Sequence, residues 1–127
     1  MIQEKYITEL HAEHRLWKSQ LLLAKDQLKS FQNRLDEVNT ANTAKNILAE
    51  IEQFQNRFIG ETEVIETLLH DIGEEDVKLA ENVRVNNVAS EHRKSSENKA
   101  LMERMDIFNK LFFELGLKFT SFLSKTL

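Results

Sequence analysis

Three of the four histidines in this 127-residue chain stand at helical spacing from one another or from carboxylates. His11 and His14 are three apart and share one helix face. Glu66 and Glu74 each lie one turn from His70. Imidazoles and carboxylates turned inward from adjacent helices are how helical bundles hold metal ions, so His11, His14, Glu66, His70 and Glu74 are the candidate ligands. Other chemistry leaves no trace. There is no cysteine, which removes disulfides, thiolate nucleophiles and thiolate metal sites. The three glycines are isolated, so no loop is built to cradle phosphate. No Ser-His-Asp arrangement or pair of catalytic carboxylates is recognisable, and we expect a protein that is not an enzyme and carries no cofactor.

The elements that must position these residues are long helices. Leu10, His14, Trp17, Leu21, Ala24, Leu28, Phe31, Leu35 and Val38 recur at alternating steps of four and three. That spacing marks a coiled-coil-like helix buried along a narrow seam. His14 is the one ionisable member of the seam and reads as a hydrogen-bonded core histidine that fixes register. A second stripe runs Ile47, Ile51, Phe54, Phe58, Glu61, Ile65, Leu68, Ile72, and a third Met105, Phe108, Phe112, Leu115, Phe119, Phe122. Proline is absent altogether, which suits long helices with few connections. The expected fold is therefore all-α: a single domain over 1–127, an antiparallel up-down bundle of three long helices. Helix one covers about 2–38, helix two about 42–72 and the third element about 74–126. Thr40 or Asn42 is expected to cap helix two and Gly73 to end it. The third element is either continuous or broken near Asn86-Asn87 to give four helices. With a hairpin turning about residues 40–41, His11 faces His70, His14 lies near Glu66, and Gly60 sits opposite Leu21.

The segment Leu10-His11-Ala12-Glu13-His14 with Trp17, together with the His70-to-Glu74 spacing, resembles the hemerythrin-like family of antiparallel di-iron bundles. The resemblance implies His11 or His14, His70 and Glu74 as metal ligands. The chain departs from that pattern in having no His-x-x-x-His on its third helix and no histidine after His92, so half the ligand set has no counterpart. A hemerythrin-like or ferritin-like metal-binding bundle stands as the alternative reading.

Charge and length point elsewhere. The net charge is −4, and the run Glu61–Asp76 carries seven carboxylates with no lysine or arginine. A nucleic-acid partner would need a basic stripe, which is missing. No apolar stretch approaches a membrane span. Residues 1–6 lack a basic and then apolar leader, so the cytoplasm is the expected compartment. A third element of about 50 residues would overhang helix one by about 20 Å. Its apolar surface would need covering. Hence the primary expectation is a non-enzymatic bundle acting through protein–protein contact or self-association. The expected form is a homodimer, or a complex with another protein, made through Phe108, Phe112, Leu115, Phe119 and Phe122 of the C-terminal helix.

Overall fold

In the computed structural model, the backbone is described for residues 2–41, 44–82 and 88–127, and side chains for 7–41, 44–81 and 96–127. Three helices account for almost all of it: α1 (Ile2–Ala41), α2 (Lys45–Asn82) and α3 (Val88–Thr126). The fold class is as expected, an all-α bundle. Their lengths of 40, 38 and 39 residues make three rods of about 60 Å each. His14 meets Asp76, Lys25 meets Glu66 and Phe31 meets Phe58, so α1 and α2 are antiparallel. Arg104 meets Asp71 and Phe119 meets Phe58, so α3 runs antiparallel to α2 and parallel to α1.

Each helix buries the stripe its sequence carries. Leu21, Leu35 and Val38 of α1, Ile65 and Ile72 of α2, and Leu115 and Phe119 of α3 are all at most 1% exposed. The centre of one half of the core is aromatic. Phe119 has the rings of Phe31, Phe54 and Phe58 at 5.1, 5.3 and 5.1 Å, the last edge-on. Offset and edge-to-face rings add to the burial of large apolar area, which is the main force holding the rods together.

Several expected boundaries move. Helix two does not stop at Gly73 but continues to Asn82, and Gly73 has no left-handed backbone. The reason lies beyond the glycine: Glu75 and Leu79 extend the buried seam of Ile65, Leu68 and Ile72. Burying Leu79 outweighs the roughly 1 kcal/mol that a mid-helix glycine costs. Thr40 is no cap for α2; it lies within α1, where its hydroxyl donates to the Asp36 carbonyl at 3.0 Å. Asn42, the other proposed cap, and the Asn86-Asn87 break lie outside the described residues. The third element is therefore one helix from Val88, not a span from residue 74. With three rods of matched length, the overhang disappears.

The register between α1 and α2 also differs. His14 faces Asp76, about two and a half turns further along α2 than expected. Most of this displacement arises because α1 runs on to Ala41 and α2 begins only at Lys45. Gly60 consequently does not lie against Leu21. A Cβ built on it meets nothing within 4 Å.

Candidate functional site

The seam of α1 places His14 in the interior, 1% exposed, where an unpartnered imidazole would be costly. Two other helices supply its partners. The Nδ1 of His14 donates to Asp76 Oδ1 on α2 at 2.5 Å, and its Nε2 lies 2.8 Å from Asn98 Oδ1 on α3. Both ring nitrogens thus face side-chain oxygens. A doubly protonated ring satisfies that arrangement with two donated bonds, whereas a neutral ring needs the Asn98 amide turned over. Trp17 stands one turn further on, its ring 5.3 Å from the imidazole.

Asp76 is the hub. Lys18 Nζ donates to its Oδ2 at 3.1 Å, and His11 Nδ1 approaches its Oδ1 at 3.2 Å. Partial burial pushes the Asp76 carboxyl up, but the bonds and positive charge of His14 and Lys18 override it. The group is held below the usual aspartate range. His11, His14 and Lys18 share one face of α1 because they are spaced three and four apart. Together these residues form a polar rung across all three helices. The rung has little to catalyse with. His14 Nε2 faces an amide oxygen rather than a hydroxyl or thiol, and the ring has almost no exposed surface.

The structure separates the candidate metal ligands into three places. His11 and His14 join Asp76. Glu66 turns to α1 and pairs with Lys25 at 3.5 Å. His70, with its side chain 69% exposed, pairs with Glu74 at 3.1 Å on the outer face of α2. His70 therefore does not meet His11, and His14 does not meet Glu66. Among the described residues, His70, Asp71 and Glu74 are the one group of three whose ligand atoms lie within 4.8 Å of one another. Asp71 in that group is already held by Arg104 at 2.8 Å. His11, His14 and Asp76 do not form a second such group, and Lys18 already binds the other oxygen of the Asp76 carboxylate.

The sequence reading missed Asp76, Lys18 and Asn98. The available signal was His14 itself: a polar residue on an apolar seam requires polar partners at the same level of the facing helices. Taking Gly73 as the end of α2 removed Asp76 from consideration.

The residues expected to form an interface are placed differently too. Phe108, Leu115, Phe119 and Phe122 are at most 5% exposed within the single chain, and Phe112 packs half-buried against Phe31 and Phe108. The apolar surface that α3 does present lies elsewhere. Ile107, Phe113 and Leu117 are 60, 67 and 58% exposed. Beside them, α2 and α3 enclose an open groove of about 460 Å³ whose lining includes Gly60, Glu61, Val64, Arg104, Ile107 and Leu111. Desolvation there raises the Glu61 carboxyl above its ordinary value, against the lowering effect of Arg57.

No family model matches the chain, and comparison with curated proteins and with solved structures finds no match either. Among the described residues, no helix is long and apolar enough to cross a membrane.

Proposed function

We propose that this chain is a non-enzymatic helical bundle that works through protein–protein contact, in the first instance with itself. One observation carries the reading: large apolar side chains remain on the outer surface of α3 and along the α2–α3 groove, although the aromatic stripe is already buried inside the chain. Three rods side by side leave each helix an outer face that a second molecule can cover. A cytoplasmic setting goes with this reading, since the chain has no cysteine for disulfides. Sedimentation velocity from about 1 to 200 µM tests it, in the micromolar range typical of weak self-association. The mass should rise from that of one chain toward two as concentration increases. A single-chain mass throughout overturns the proposal.

The metal-binding alternative has one observation of its own, the proximity of His70, Asp71 and Glu74. Elemental analysis separates the two readings. Iron, zinc or manganese near one equivalent, lost in His70→Ala, supports the alternative; metal well below an equivalent ends it.

A further inference from the structure

We infer that the partner of α3's outer face is a second copy of this chain, docked antiparallel about a two-fold axis beside Phe112. The inference rests on the proposed self-association and specifies its geometry.

The outer face of α3 carries Asp106, Ile107, Lys110, Phe113, Glu114, Leu117 and Lys118, all exposed and pointing away from the core stripe of Met105, Phe108, Leu115 and Phe119. Among the described residues, none of its four charged side chains has an ion-pair partner within its own chain. Their order along the helix is antisymmetric about Phe112. Lys110 and Glu114 are equidistant from it, as are Asp106 and Lys118. The apolar residues follow the same symmetry, Ile107 with Leu117 and Leu111 with Phe113. An isologous antiparallel pairing sets each residue against its mirror position on the other copy. Lys110 then meets Glu114 and Ile107 packs on Leu117 across the seam, each contact made twice.

Other arrangements do worse on charge alone. A parallel pairing sets Lys110 and Glu114 each against its own twin. Sliding the antiparallel copy by one heptad places Lys110 against Ile107 and Glu103 against Glu114. The opposite slide leaves Lys110 facing Ser121 and Glu114 facing Leu117. One like-charged pair does arise in the favoured register, Lys99 with Lys125. It falls near the ends of the contact, where helices crossing at about 20° have begun to separate. Each exposed ion pair is weak by itself, so charge here selects orientation while Ile107, Phe113 and Leu117 provide the buried area.

The test combines charge reversal with cross-linking in the intact chain. Lys110→Glu or Glu114→Lys alone should weaken the dimer about tenfold in sedimentation velocity, and the double variant should recover most of that loss. Circular dichroism checks that these surface variants keep the helical fold. Because the chain has no cysteine, K110C mixed with E114C should oxidise to a mixed disulfide in preference to either homodimer. A wild-type chain that dimerises while K110C links to K110C, or while the double variant stays as weak as the singles, overturns this geometry and leaves self-association standing. A wild-type chain that never dimerises overturns both.

Discussion

The Nε2 of His14 lies 2.8 Å from the Oδ1 of Asn98, a residue 84 positions further along the chain. On its other side the same ring reaches Asp76, so a single buried imidazole bridges the two helices that pack on α1. Removing it strands two partners in a poorly hydrated layer. His14→Ala should lower stability by about 2–4 kcal/mol in urea denaturation, combining lost hydrogen bonds with a cavity. An unchanged midpoint would mean that water replaces the ring at no cost.

Acid should act through Asp76. Its folded carboxyl is held below the ordinary value by His14 and Lys18. A depressed aspartate contributes stability above its unfolded value, and that contribution is lost as pH falls through the folded one. Wild type should therefore lose stability more steeply than Asp76→Asn below about pH 4. Thermal denaturation from neutral to acid pH checks this, and parallel curves for the two proteins would contradict it.

Glu61 has the opposite sign. Its carboxyl is raised chiefly by burial, so ionisation disfavours the folded state and the contribution is lost as pH rises through the folded value. Glu61→Gln should raise the melting temperature at neutral pH and converge on wild type in acid.

Gly60 sits in the interior of α2 with open space where a Cβ would stand. Gly60→Ala should stabilise the bundle by about 1 kcal/mol through helix propensity and a less flexible unfolded chain. Calorimetry reads the shift directly, and a lowered melting point would show that the groove beside Gly60 is filled.

Two phenylalanines on α3 should behave in contrasting ways. Phe119→Ala removes the ring at the centre of the aromatic cluster and should cost about 3–5 kcal/mol. Phe113→Ala alters a side chain that is 67% exposed and should change the stability of the isolated chain by less than about 0.5 kcal/mol. Equal losses would contradict the placement of these rings.

Helix faces were legible from spacing alone. Eight of the nine positions in the α1 stripe are buried, and Phe31, the ninth, is half-buried against Phe58 and Phe119. Periodicity reports the direction of a side chain around a helix, and burial follows direction. Helix ends and register were less legible. Gly73 carries the composition of a stop, yet a glycine ends a helix only where no buried seam continues beyond it. Glu75 disguised that continuation because a charged residue occupies a seam position. The error carried into the site, since the partners of His14 depend on which residues of α2 stand level with it.

The polar rung lies toward one end of the bundle and the phenylalanine cluster toward the other, and the two halves differ in what they tolerate. Greasy rings remain attracted to one another when rods slide by a turn; a hydrogen-bonded imidazole does not keep its partners. Adhesion is thus supplied at one end and alignment at the other. A chain with Leu in place of His14, Asp76 and Asn98 should stay collapsed while losing its single phase between rods.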